Sequence, residues 1–281
     1  RTFNFAGREA GLLIDKFAFG PLGVHFTVDQ LDNATAGTTD TVDPDVPTGP
    51  ELASGRTKFL GSAYSEDANQ NIYFTSYWNQ VIPGNAGKWG SVESSRDNMN
   101  WANLNACYDF AKDNGYPFMF HVLVWGSQQP TWLNALSDAD KLAELEEWYA
   151  AVAQNYPDID MLQVVNEPLS APPIDSSGAG GYKEALGGNG TTGWDWVINA
   201  FTLAREHFPD TPLMINDYNI ISDTSRADTY VTIINLLKER DLIDAIGIQG
   251  HGFSYAYAST STIQTCLAKL TATGLPVYVT E

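Results

Sequence analysis

Residues 160–168 read DMLQVVNEP, an apolar strand that ends on two polar side chains, Asn166 and Glu167. Pro168 follows at once and stops strand pairing behind them. The same pattern recurs on both sides of this segment. PFMFHVLVW (117–125) carries His121 and Trp125. PLMINDYN (212–219) ends on Asn216 and Asp217, IDAIGIQGHGF (243–253) on Gln249 and His251, and LPVYVTE (275–281) on Glu281. TKFLGSAY (57–64) is strand-like, and NQVIPGNAGKW (79–89) is a strand running into a loop. Helices are predicted over 99–114, 138–155, 194–207, 225–239 and 260–272, with Ser137 as the cap of the second and Gly115 closing the first. Strands alternating with helices argue for a parallel β/α architecture.

Polar side chains clustered at the carboxyl ends of successive strands suit a TIM (β/α)8 barrel, whose active sites lie on that face. A dinucleotide-binding sheet would want a Gly-rich phosphate loop after its first strand. GNAGKW (84–89) has neither that spacing nor the P-loop spacing.

The first 36 residues read differently, as short strands joined by a Gly-Pro turn, and form a β-rich extension. Residues 37–55 carry three prolines, four acidic residues and no aromatic, Lys or Arg. That composition reads as a linker, so the barrel is expected over 56–281.

The formal net charge is −19, which repels nucleic acid and anionic membranes and suits a neutral partner such as an uncharged polysaccharide. Solubility alone accounts for the charge equally well. No apolar run approaches the roughly 20 residues needed to span a bilayer. Cys107 and Cys266 read as buried free thiols on two helices. The 8 Trp and 13 Tyr are mostly core residues. Those near strand ends offer flat faces on which sugar rings stack.

Two glutamates at the ends of two barrel strands, Glu167 and Glu281, can converge across the barrel mouth. Glycoside cleavage needs such a pair. One carboxyl protonates the leaving oxygen, and the other attacks the anomeric carbon or activates water, depending on their separation. The shared negative field is expected to keep one of the two protonated near neutral pH.

FHVLVWGSQQPTWL, VVNEP, INDYN, IDAIGIQGHGF and LPVYVTE, together with GNAGKWGSVE, occur in the order found in glycoside hydrolase family 10, the β-1,4-xylanases. The resemblance runs from about residue 57 to 281. It implies a secreted, retaining endo-β-1,4-xylanase that needs no metal or organic cofactor. By residue, it implies Glu167 as acid/base and Glu281 as nucleophile, with His121, Asn166, Gln249 and His251 around the reacting sugar. Asn85 and Lys88 would bind the next sugar on the glycone side, and Trp125 would form an aromatic wall. NEP alone is shared with cellulases and mannanases, which leaves those substrates open, as it leaves a catalytically inactive glycan-binding protein. The first 36 residues resemble the end of a carbohydrate-binding β-sandwich or are an ordinary extension.

Three departures from the family stand out. Gly84 replaces its usual Glu. Gly126 replaces a common His and is expected to open space beside Trp125. The family's last strand and helices have no counterpart after Glu281. The barrel is therefore expected to be completed by a further chain segment.

Overall fold

The computed structural model describes residues 50–64, 73–174 and 181–281. The β-rich extension and residues 37–49 of the linker lie outside them. The chain divides into Arg1–Gly49 and Pro50–Glu281, and the second unit is described here.

Among the described residues, seven parallel strands follow one another in chain order. They are β1 (Gly61–Tyr64), β2 (Gln80–Pro83), β3 (Met119–Val124), β4 (Met161–Asn166), β5 (Leu213–Asp217), β6 (Ala245–Ile248) and β7 (Val277–Val279). β1 pairs with β2, and β3 to β7 form a continuous five-stranded sheet. The Val81↔Phe118 bridge joins the two groups, with the Val81 N–H on the Pro117 carbonyl at 3.0 Å. Helices α1 (Phe74–Tyr77), α2 (Trp89–Val92), α3 (Ala102–Asp113), α4 (Asp138–Asn155), α5 (Asp195–His207), α6 (Thr224–Lys238), α7 (Gly252–Tyr255) and α8 (Thr260–Thr271) fill the connections. This is the strand–helix order of a TIM barrel.

The five long helices stand where the sequence places them, within three residues at each end. Their ends follow local chemistry. The Ser137 hydroxyl accepts the Asp140 N–H at the start of α4, and Gly115 takes a φ of +69° after α3. The single turn α2 and a 3-10 turn at Thr131–Ala135 fall where the sequence predicts no helix, and the single turn α7 begins inside the segment 243–253 read as a strand. Four or five residues are too few to show a helical period.

Two layers of apolar side chains hold the strands. The outer layer packs the helices on the sheet and is built around aromatic residues. Trp148 of α4 is fully buried between Trp89 and Trp101, its ring stacked on both at centroid distances of 5.9 and 5.7 Å. The inner layer takes one residue from each of β2 to β6: Ile82, Met119, Met161, Met214 and Ala245. Thioethers fill irregular space well, which suits the inside of a barrel.

β3, β4, β5 and β6 are buried along their whole length, whereas β1 and β7 are only partly so. Between β1 and β7 lies a cavity of about 1040 Å³. Phe59 and Tyr278 reach across it, with ring centroids 6.0 Å apart. Glu51 and Leu52, read above as linker, are bonded to this unit. The Tyr116 hydroxyl donates to Glu51 at 2.9 Å and the Leu52 N–H to the Tyr77 carbonyl at 3.2 Å.

Candidate active site

All the strands are parallel, so their carboxyl ends share one rim, and the polar residues noted in the sequence meet there. Glu167 is the first residue after β4 and has a φ of +56°. A non-glycine residue in this left-handed region costs about 1 kcal/mol. Backbone bonds on both sides hold it there. Its N–H donates to the Asn216 carbonyl at 2.7 Å, and its carbonyl accepts from Ala171 N–H at 2.8 Å. The turn breaks the up-down alternation of a strand, so that Asn166 and Glu167 reach the same neighbour although adjacent in sequence. That neighbour is Gln249. Its amide donates to Glu167 Oε1 at 2.8 Å and lies 3.4 Å from Asn166 Oδ1. Trp125 Nε1 donates to Glu167 Oε2 at 3.1 Å.

Glu281 extends the pairing of β7 with the strand before it, its N–H on the Gln249 carbonyl at 2.9 Å. Its Oε1 accepts from Asn216 Nδ2 at 3.1 Å, and His251 Nε2 lies 2.8 Å from Oε2. Burial pushes the Glu281 carboxyl above the ordinary carboxylate range. His251 and the Asn216 bond pull it back, and the charge of Glu167 adds to the rise. Asn216 links the two halves. Its amide also donates to Asn166 Oδ1 at 3.0 Å, while its own oxygen accepts from the Thr280 hydroxyl at 2.7 Å. The sequence showed Asn216 only as a polar residue at a strand end.

A second group stands beside this pair. Lys88 Nζ donates to Asn85 Oδ1 at 3.0 Å and lies 5.1 Å from the Trp125 ring centroid. Gln128, which the sequence reading passed over, donates to the same Asn85 oxygen at 3.1 Å. Gly87 seats their loop on β3. Its carbonyl accepts the Val122 N–H, and a Cβ at 87 would stand 2.2 Å from the His121 carbonyl. Tyr182 was also missed. Its hydroxyl donates to the Trp125 carbonyl at 3.0 Å and accepts the Trp125 N–H at 3.1 Å, which fixes that residue's backbone. Tyr182 stands in a stretch of sequence with no periodic signal, so nothing in the sequence marked it. His121, Lys88, His251 and Glu281 line the 1040 Å³ cavity.

Asp217, fully buried beside Asn216, ties down the loop behind Glu167. It accepts from the Leu169 N–H at 2.9 Å and the Ser170 hydroxyl at 2.7 Å, with Arg226 nearby at 3.4 Å. Burial pushes its carboxyl up to about 6. A raised value means that the contribution of this group to stability is present in acid and lost as pH rises through about 6.

The expectation for position 126 is corrected. A Cβ there would lie 2.2 Å from the Pro172 carbonyl oxygen and 2.4 Å from that of Ala171. The space beside Trp125 is filled by the backbone of the Glu167 loop, and the Gly126 N–H donates to Ala171 at 2.9 Å. At Gly84, by contrast, a Cβ would meet only the Tyr64 carbonyl, at 3.5 Å. Among the described residues, Asp97, Glu144 and Glu147 bring carboxylate oxygens within 4.8 Å of one another, and the Arg96 guanidinium bonds to Glu144.

Comparison with known proteins gives a consistent result. The model of glycosyl hydrolase family 10 matches residues 51–281. An endo-1,4-beta-xylanase B of Cellvibrio japonicus is 34% identical over 225 residues, 80% of this chain and 35% of its own length. An endo-1,4-beta-xylanase B of Thermotoga neapolitana is 30% identical over 208 residues, 73% of this chain and 58% of its own. The chain thus spans 35% and 58% of the length of these curated relatives. Among solved structures, a GH10 protein of Paenibacillus barcinonensis superposes with a TM-score of 0.71 at 25% identity, covering 83% of this chain and 72% of that one. Xylanase 10B of Thermotoga maritima gives 0.66 at 25% identity, covering 79% and 69%.

The two glycine departures should behave oppositely. Gly126→Ala forces backbone apart and should destabilise the protein by about 3 kcal/mol. Gly84→Ala should stay within about 0.5 kcal/mol of the parent. Urea unfolding of both variants measures this, and a Gly126→Ala midpoint equal to the parent's would contradict the packing described.

Proposed function

This chain belongs to glycosyl hydrolase family 10, and from that membership we propose that it is the catalytic part of a retaining endo-β-1,4-xylanase. One observation carries the reading. Two carboxyls at the ends of β4 and β7 are tied through the side chains of Asn216, Asn166 and Gln249, and Glu281 responds to the charge of Glu167. In the proposed reaction Glu167 gives its proton to the leaving glycosidic oxygen. Glu281 attacks the anomeric carbon, forming a glycosyl ester as the C–O bond breaks. Glu167, now ionised, takes a proton from water. The resulting hydroxide equivalent displaces Glu281, and the sugar leaves with its original configuration.

His251 and Asn216 support the nucleophile's role, because both favour an ionised Glu281 against its burial. Asn85, Lys88, His121 and Trp125 stand together where a glycone sugar would need hydrogen bonds and a flat face. Xylan as substrate is supported by the curated relatives named as xylanases. A further chain segment, pairing with β1 and β7, belongs to this reading. The partial burial of those strands and the cavity between them support it. We also propose that the protein acts outside the cell, since a polymeric xylan does not cross membranes. Xylan-cleaving activity should appear in the culture fluid of the producing cells, and activity confined to the cells would overturn this.

An activated 2-fluoro-xylobioside should label Glu281, read by peptide mass mapping. Labelling of another residue would remove the nucleophile assignment. Glu167→Ala should lower kcat on xylan by about a thousandfold while oligosaccharide binding persists. Faster turnover of carboxymethylcellulose or mannan than of xylan would redirect the substrate assignment. Binding without any turnover by the parent would point to an inactive glycan-binding protein.

His251 lowers the proton affinity of Glu281, so its removal must raise it. Activity requires ionised Glu281. The acidic limb of the pH profile of kcat/KM should therefore move to higher pH in His251→Gln, and a limb that stays or moves down would contradict the pairing.

A further inference from the structure

β3 and β4 place His121 and Gln163 as register partners, both facing the barrel interior. Gln163 is fully buried and His121 is 8% exposed. His121 Nδ1 lies 2.7 Å from Gln163 Oε1, and Gln163 Nε2 lies 3.3 Å from the Met119 sulfur. These contacts orient one another. A thioether can only accept a hydrogen bond, so the amide NH2 belongs on the sulfur side. The amide oxygen then faces His121, and an oxygen that can only accept requires a proton on Nδ1. A neutral imidazole carries one ring proton, so Nε2 is left with a lone pair. Met119 stands two residues before His121 on the same face of β3, which makes the arrangement a property of strand register.

We propose that Gln163 is a positioning residue that holds His121 as the Nδ1–H tautomer, so that the sugar hydroxyl bound at Nε2 must donate. The sugar-binding part of this statement rests on the reading given under Proposed function. The tautomer itself does not. Burial supports the neutral ring, pushing His121 down to about 4, and the Lys88 charge acts in the same direction. Glu281 of the β7 end and His251 after β6 line the same cavity as His121. Neither supplies the acceptor on Nδ1. An uncharged partner matters here. A carboxylate in place of Gln163 would also accept from Nδ1, but its charge would draw a second proton to Nε2 and abolish the acceptor.

The test is 15N NMR of the histidine-labelled protein without ligand. Between about pH 5 and pH 8, His121 should show a protonated Nδ1 and an unprotonated Nε2. A proton on Nε2 in this range overturns the proposal. In Gln163→Glu, both ring nitrogens should carry protons in the same range, and KM for xylo-oligosaccharides should rise by about tenfold. A Gln163→Glu ring that remains singly protonated, with KM equal to the parent's, also overturns it. The spectrum of the parent decides the matter if the variant fails to fold. Absence of xylan turnover by the parent would count against the proposed function and leave the tautomer result standing.

Discussion

Asn216 directs its amide hydrogens to two acceptors on either side, Asn166 at the end of β4 and Glu281 at the end of β7. A side-chain amide has two hydrogens and one carbonyl, and here all are used, the carbonyl by Thr280. Three strand ends are thereby held together by one side chain. Buried polar groups that satisfy one another rigidify a site, whereas one missing partner leaves the others unpaired at a cost of about 1–3 kcal/mol. The positions of both carboxyls follow from this. Glu281 is bonded directly to Asn216. Glu167 is reached through Gln249, which also touches the Asn166 oxygen that Asn216 binds.

The left-handed turn at Glu167 belongs to the same construction. Without it, strand alternation would send Asn166 and Glu167 to opposite faces of the sheet. The turn is unfavourable by itself and persists because the following loop is fastened elsewhere. Asp217 holds Leu169 and Ser170, and Gly126 receives the Ala171–Pro172 backbone where no side chain would fit. Two features that look unrelated in the sequence, a buried aspartate on β5 and a glycine after β3, thus serve one turn.

The legible part of the molecule was the part governed by short periods. Five long helices and seven strands could be read because apolar residues repeat within each segment. The carboxyl-end residues could be read because a polar side chain closing an apolar run is conspicuous. Asn216, Gln163, Tyr182 and Gln128 were passed over as site residues. Each acts on a partner from another segment, and no local pattern records a contact 42 or 57 residues away, as for Gln163 with His121 and Tyr182 with Trp125. Gly126 was misread for the same reason. A missing side chain suggests a hole, but a loop more than forty residues later occupies it.

The three stacked indoles of Trp89, Trp101 and Trp148 have an optical consequence. Rings held nearly parallel at 5.9 and 5.7 Å share their electronic excitations, so the cluster should give a strong near-ultraviolet circular dichroism band. Trp89 directly follows Lys88, on the loop that carries Asn85. The molecule therefore carries a native chromophore whose signal reports how that loop is seated, without any attached dye.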